Sequence, residues 1–340
     1  ALLTEFVHQE PSCLQHVMNE GVAECVLAAI TSKLPISRGT VTIVPTVIGA
    51  LCLSFQGSQF VESKKPVVKF LSALVSERVV PLLVGDVPSQ LGQQLEELMR
   101  HNPPLLNSCL TGCVEIANCI VATAEKLAPE EMMSDASQTE GQPPTSQANQ
   151  ALAQTYLLQA IEFFGKLLEP LMTVPEHARS FVRNNGLAAV MKLISCRQIP
   201  RDFTRTEAGR FVVLVVGKTA FHSPNLVLGD VMQRTQEYLE ELLDSSKSVK
   251  NDVTDKSADI QEVTKVVGKP ELPACEGKLR GLELHLSLLS GIVGCLRGSS
   301  TATEWDNDKG KALIDSMARC YYWLLHDTAA STLPAHSSSA

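Results

Sequence analysis

TVTIVPTVIGALCLSFQGSQFVESKKPVVKFLSALVS, residues Thr40–Ser76, reads as an apolar helix, a polar turn and a second apolar helix. Val44, Val47, Ile48, Leu51 and Cys52 recur at helical spacing before the turn, and Phe70, Leu71 and Leu74 recur after the break at Pro66. Neither helix can hide its apolar face alone. Each needs neighbours on more than one side, and a stack of similar helix pairs supplies them. The stretch is therefore one unit of a repeat.

Working outward, the motif occurs three times: EPSCLQHVMNEGVAECVLAAI from Glu10, QGSQFVESKKPVVKFLSALV from Gln56 and PEHARSFVRNNGLAAVMKLI from Pro175. An apolar residue precedes each turn (Val17, Val61, Val182), the turn carries Gly21, Lys65–Pro66 or Gly186, and an apolar helix follows. These helices are marked by Val26, Leu27 and Ile30, by Phe70, Leu71 and Leu74, and by Val190, Leu193 and Ile194. Glycine supplies a left-handed closing residue and proline opens the next helix. Val17 and Val61 lie 44 positions apart, and Val61 and Val182 lie 121 apart, close to three more steps. A step of about 40 is the armadillo/HEAT period. Between them, Leu91, Leu95 and Leu98 mark one helix, and Leu105, Cys109, Cys113, Ile116 and Ile120 mark another after Pro103–Pro104. The expected fold is all-α, an armadillo/HEAT-like helical-repeat solenoid with disordered polar loops.

Composition agrees. Apolar residues make up 44% of the 340 positions, ample for a core, while aromatics are only 5%, which suits stacked Leu/Val/Ala helices. A formal charge of -8 leaves no electrostatic footprint for nucleic acid or an anionic membrane. No basic segment precedes an apolar one at the start, so no signal peptide is expected. The longest apolar run, Val41–Phe55, contains Pro45 and Gly49 and is too short to span a bilayer. The chain opens ALLTEF without Met, which suggests a piece of a longer protein. The ten cysteines include no CxxC pair and sit mostly among aliphatic neighbours, the pattern of reduced, buried thiols in an intracellular protein.

Further along, Pro129–Gln150 is acidic, rich in Ser, Gln and Pro, and aperiodic, so it reads as a disordered loop. Helical spacing resumes at Leu152, Tyr156, Ala160, Phe163, Leu167 and Leu171. Phe211–Val216 is β-branched enough for a strand, but a buried helix over Thr206–Thr219 fits its neighbourhood. Met232, Tyr238, Leu239 and Leu242 mark another helix, and Asp244–Ala274 a linker. Leu279, Leu282, Leu286, Leu289, Val293 and Leu296 form a two-heptad seam, read as internal contact rather than a partner site, and Leu313, Met317, Tyr321 and Leu324 a last helix. The expected segments are repeats over 1–126, a disordered loop over 127–150, repeats over 151–243, a linker over 244–275, C-terminal helices over 276–328 and a frayed tail over 329–340.

Few residues suggest chemistry. Gly217–Lys218–Thr219 resembles a phosphate-binding loop but lacks the glycine five positions earlier, where Val212 stands. His101, Cys109, Cys113 and Cys119 could suggest a metal, but Cys109 and Cys113 share an apolar helix face and read as core thiols. His285 reads as a solvated or hydrogen-bonded helix histidine. The clusters Lys64–Lys65–Lys69 and Glu237–Glu240–Glu241 read as wet helix faces. No catalytic, cofactor-binding or metal-binding residue is assigned, and no cofactor is expected.

The order of these motifs carries a resemblance. EPSCLQHVMNEGVAECVLAAI, VTIVPTVIGALCLSFQGSQFV, VVKFLSALVSERVV and LGQQLEELMRHNPPL, followed later by SFVRNNGLAAVMKLI and IPRDF, resemble the N-terminal armadillo-like region of giant HECT-type E3 ubiquitin ligases of the HUWE/Tom/UPL group. Pro45, Gly49–Leu53 and Gln56–Gly57 carry most of it, and it covers roughly residues 5–205. The resemblance implies a scaffold that recruits substrates, with ubiquitin carried on a cysteine of a C-terminal HECT domain. That domain is not in this sequence: Leu333–Pro334–Ala335–His336 is followed by Ser337 and Ser338, and no cysteine follows Cys320. The implied role is a non-catalytic scaffold and substrate-recruiting segment. Its partners would be protein substrates and other segments of the parent ligase, with no membrane or nucleic acid, and its setting the cytoplasm and the nucleus. The alternative is a stand-alone armadillo-type adaptor that binds peptides or proteins; an enzyme with a hidden site ranks third.

Overall fold

The computed structural model describes residues 2–32, 35–127, 144–200, 202–254, 272–296, 314, 315 and 317. Its described residues contain fourteen α-helices and no strand. In the first three-helix unit are α1 (Leu2–Gln9), α2 (Leu14–Asn19) and α3 (Val22–Ser32); in the second, α4 (Arg38–Leu51), α5 (Phe55–Lys64) and α6 (Pro66–Leu74). Next come α7 (Val87–His101) and α8 (Leu106–Leu127), then α9 (Pro144–Leu171), α10 (Pro175–Arg183), α11 (Gly186–Ile194) and α12 (Glu207–His222). The last two are α13 (Pro224–Thr254) and α14 (Leu272–Leu296). The chain divides into two units, Ala1–Ser223 and Pro224–Ala340.

Local chemistry explains the opening stretch. Ser37 caps α4 in a capping box with Thr40, whose Oγ1 accepts from the Ser37 N–H at 2.8 Å. Ser54 caps α5 by accepting from the Gly57 N–H at 3.0 Å. The segment read as a polar turn is thus a helix of its own, with a buried stripe only at Gly57 and Val61. Pro66 then ends it. A residue before proline is kept out of the right-handed helical region, and Lys65 adopts φ 47°, ψ 49°, closing α5 and opening α6 together.

In the first unit the helices stand in two rows. α1, α4, α7, α9 and α12 pack side by side in that order, and α3, α6, α8 and α11 do the same. The repeat is exact enough to number. Val41, Val44, Ile48 and Leu51 of α4 and Ile161, Phe164, Leu168 and Leu171 of α9, each 120 positions on, are all buried to within 2%. The corner after each repeats as well: the N–H groups of Cys52 and Met172 both donate four residues back, at 3.2 and 2.9 Å.

This register corrects three readings. The left-handed residues at the three motif turns are Gly21 (φ 71°), Lys65 (φ 47°) and Asn185 (φ 60°). Four positions earlier stand Val17, Val61 and Phe181, so Phe181 and not Val182 is the equivalent of the other two. Gly186 is the first residue of α11 rather than the turn; a Cβ there would lie 2.4 Å from the Phe181 ring. Between the second and third copies only one unit, α7–α8, is present among the described residues, where the 121-position gap suggested two. The gap is taken up by length: α8 has 22 residues and α9 has 28.

Other boundaries also move. The buried helix expected over Thr206–Thr219 is α12, capped by Thr206 and running three residues further, to His222. α9 begins at Pro144, inside the expected 127–150 loop, because proline suits the first helical position. The expected 244–275 linker is helical at both ends, through Thr254 and from Leu272. The rest of both segments, most of the helix expected near Leu313–Leu324 and the 329–340 tail lie outside the described residues. The unit boundary falls at Pro224 rather than after 243, since α13 packs with α14. Within that second unit, Leu282 packs with Met232 and Leu239, supported by Leu286 and Leu289, as the seam predicts. Val293 is 37% exposed instead, and burial is deepest at Leu288 and Ile292.

Candidate interaction surface

Among the described residues, the chemically suggestive ones lie apart or inside helices. Gly217–Lys218–Thr219 lies inside α12: Thr219 Oγ1 donates to the Val215 carbonyl at 2.7 Å, and Lys218 pairs with Glu169 at 3.0 Å. Helical N–H groups already spent on the i−4 carbonyls cannot cradle a phosphate. Cys109 and Cys113 are fully buried, and burial pushes the Cys113 thiol up to about 12 and that of Cys109 beyond the ordinary range. His101 is exposed and Cys119 only half-buried. Among the described residues no three His, Cys, Asp or Glu side chains are placed to hold a metal ion. His285 is buried and bonded through Nδ1 to the Gly281 carbonyl at 2.7 Å; burial lowers its pKa. Lys65 and Lys69 are exposed or half-exposed and Lys64 lies 5.7 Å from the Phe60 ring, while Glu237 and Glu240 accept from Gln233 and Gln236; the Glu241 side chain lies outside the described residues. Of the described cysteines, four are buried and one, Cys25, is exposed.

What the structure does bring together is a groove of about 480 Å³ between α4 and α7. Its α4 wall is Pro45, Thr46, Gly49 and Ala50, ending in Cys52 and Leu53. Its α7 wall includes Gln94, Glu97, Leu98 and His101, and His8 of α1 also lines it. Thr46 Oγ1 donates to Gln94 Oε1 at 2.9 Å, tying the two walls. Glu97 is the one carboxylate in the lining, and no lysine or arginine joins it. Cys52 is no nucleophile: burial pushes its thiol up to about 12.

The groove is open because of what α4 lacks. At the equivalent place on α9, Lys166 stands for Thr46 and Glu169 for Gly49. Lys166 lies 5.4 Å from the Phe211 ring, and Glu169 pairs with Lys218, so long side chains bridge α9 to α12. Leu53, at the end of the groove lining, is 52% exposed, and Phe55, two residues on, is 77% exposed. The corner that presents them is fixed by the Ser54 cap and by Gly57, where a Cβ would meet the Leu51 carbonyl oxygen at 1.9 Å. By sequence, Leu53 stands out only as part of a family motif. Its exposure follows from the helix ending at Leu51, two residues earlier, a boundary that apolar spacing alone does not mark.

α8, with the turn before it (Pro103–Leu127), is long and apolar enough to cross a membrane, a feature the expected longest apolar run missed. Half of its apolar window is buried, and α6, α9 and α11 pack on it, which accounts for its composition.

Comparison with known proteins follows the same block of sequence. Residues 1–133 match the family described as Domain of Unknown Function (DUF913). The chain is 25% identical over 218 residues to E3 ubiquitin-protein ligase UPL1 of Arabidopsis thaliana, covering 58% of this chain and 6% of that protein. It is 24% identical over 245 residues to E3 ubiquitin-protein ligase ptr1 of Schizosaccharomyces pombe, covering 71% and 7%. It is 25% identical over 293 residues to E3 ubiquitin-protein ligase HUWE1 of Mus musculus, covering 68% and 7%. The chain thus spans less than a tenth of the length of these relatives. Residues 1–133 thus match DUF913, and the chain is homologous to a part of HECT-type E3 ubiquitin-protein ligases.

Proposed function

We propose that this chain is a non-catalytic scaffold and substrate-recruiting segment of a HECT-type E3 ubiquitin-protein ligase, acting inside the cell in the cytoplasm and nucleus. The observation that carries the reading is the combination of homology to E3 ligases with a helical repeat in which four of the eight described cysteines are buried. A repeat stack offers extended, rigid surface and few places for chemistry, which suits holding partners in position. Its partners in this reading are protein substrates and neighbouring segments of the same ligase.

Two measurements test it. Incubated with ubiquitin-charged E2, the isolated chain forms no reducible ubiquitin adduct; a thioester on any of its cysteines would overturn the non-catalytic part. In the ligase of which it forms a part, deleting residues 35–223 leaves the ligase's own ubiquitin thioester intact and lowers transfer to protein substrates. Unchanged transfer would overturn the substrate-recruiting part of the reading.

A further inference from the structure

We propose that the α4–α7 groove and the Leu53–Phe55 corner form a docking site for a protein segment in which an aliphatic or aromatic side chain stands beside a lysine or arginine. The inference rests on the recruiting role proposed above and names its contact surface. Three observations carry it.

The first is internal to the molecule. The corner after α4 recurs after α9 with three backbone hydrogen bonds in common, from the N–H groups of Cys52, Leu53 and Ser58 and of Met172, Thr173 and Ala178, so the α9 corner serves as a comparison for the α4 one. The buried positions agree: Leu51 with Leu171, Cys52 with Met172. The exposed ones do not. Where the α9 corner has Thr173 and Pro175, the α4 corner has Leu53 and Phe55, at 52% and 77% exposure. Since the same corner forms with a threonine and a proline, folding does not require two large apolar side chains there. Exposed apolar pairs of this kind mark contact surfaces.

The second observation is the groove itself. Thr46 and Gly49 leave open the space that Lys166 and Glu169 bridge on α9, and Pro45, Ala50 and Leu98 give it an apolar lining. Its volume of about 480 Å³ holds one or two side chains rather than a folded surface. The third is charge. Glu97 is the one carboxylate in the lining and faces no lysine or arginine there, so a cation brought by the partner meets an attractive field and an anion a repulsive one. An apolar anchor in the groove, with a basic residue beside it at Glu97, satisfies all three.

The test is a selection from a phage-displayed library of random 12-residue peptides on the intact 340-residue chain, with the Leu53→Ser/Phe55→Ser double variant as the counter-bait. Both side chains are exposed, so the variant should melt with the wild type by circular dichroism; a lowered melting point would move the test to Phe55→Ser alone. The expected result is enrichment of peptides that pair Leu, Ile, Phe or Met with Lys or Arg. Their affinity should fall at least about tenfold for the double variant, the cost of losing apolar anchors, and about threefold for Glu97→Gln. Enrichment of acidic peptides, no enrichment over the double variant, or no effect of Glu97→Gln overturns the proposal. The two readings fail separately. If the library behaves as expected but deletion of residues 35–223 spares substrate transfer, the docking site stands and the recruiting role falls. If deletion abolishes transfer while the double variant transfers normally, the role stands and the site falls.

Discussion

α5 and α10 hold the same place in their repeats and are built by opposite means. α5 is capped by a side chain, Ser54 to the Gly57 N–H, whereas α10 has no side-chain cap and opens with Pro175 after an extended Val174. The position eight residues before the left-handed closing residue is Gly57 in one and His177 in the other. Gly57 sits against the Leu51 carbonyl; His177 fills its place with a ring that is 5% exposed, its Nδ1 without a hydrogen-bond partner. The difference teaches that the repeat conserves the helix ends and the apolar register and leaves the short middle helix free to vary. The groove has a separate origin, on the first helix of each repeat: Thr46 and Gly49 of α4 leave open what Lys166 and Glu169 of α9 bridge.

The largest effect that separates the two corners is expected for Gly57→Ala. The added Cβ meets backbone, which cannot move without displacing α5 from α4, so the change should cost about 3 kcal/mol or more, read by urea denaturation. A loss below about 1 kcal/mol would mean that α5 can slide on α4 and make the room that the α9 corner gives the His177 side chain.

How much of this was legible in the sequence follows from the same residues. The buried stripes of α4 and α9 announced themselves because Val, Ile, Leu and Phe recurring at helical spacing mark the buried face of a helix. The all-helical class and the family block followed from them. The register of the third copy slipped by one because Phe181 and Val182 are both apolar, and only the backbone angle at Asn185 says which one is inside. The groove was not legible at all. It is made of absent side chains at Gly49 and of Glu97, on a helix whose sequence reads as an ordinary wet face. Which wet residues share a cleft depends on helices 40 and more positions apart.

The first unit offers a second break point. Thr4 takes the position of Ile48 and Leu168, 44 and 164 positions earlier in the chain, and its buried Oγ1 has no hydrogen-bond partner. An unsatisfied buried hydroxyl costs about 1–2 kcal/mol, and valine has nearly the same shape. Thr4→Val should therefore raise stability by about 1 kcal/mol in the same denaturation experiment. A loss instead would show that Thr4 is not at the Ile48 position.

His177 sharpens the α5–α10 contrast through pH. Burial lowers its pKa from the ordinary 6.5, against the opposing pull of Glu96 and Glu176. In the window below 6.5 the unfolded chain therefore holds a proton that the folded chain does not. Stability is fully present above that value and falls as pH drops through the window. His285 is shifted in the same direction by its own burial, so both contribute with one sign. His177→Gln should flatten part of the pH dependence of the urea midpoint between about pH 7 and 5. A variant that keeps the whole slope would assign it to His285 and to the second unit.

The smallest effect is expected at the closing residues themselves. Gly21, Lys65 and Asn185 share the left-handed conformation, yet only glycine adopts it without a steric cost. Asparagine tolerates it by local hydrogen bonding, and lysine does not, so Lys65 carries a penalty of about 1 kcal/mol that the Pro66 constraint holds in place. Lys65→Gly removes that penalty and gives back about half of it through the freer unfolded chain. The net gain should be about 0.5 kcal/mol, with a smaller change for Asn185→Gly, where the strain is less. A measurable loss for Lys65→Gly would mean that the lysine side chain, not its backbone, holds the corner between α5 and α6. The three corners would then share a shape without sharing a cause.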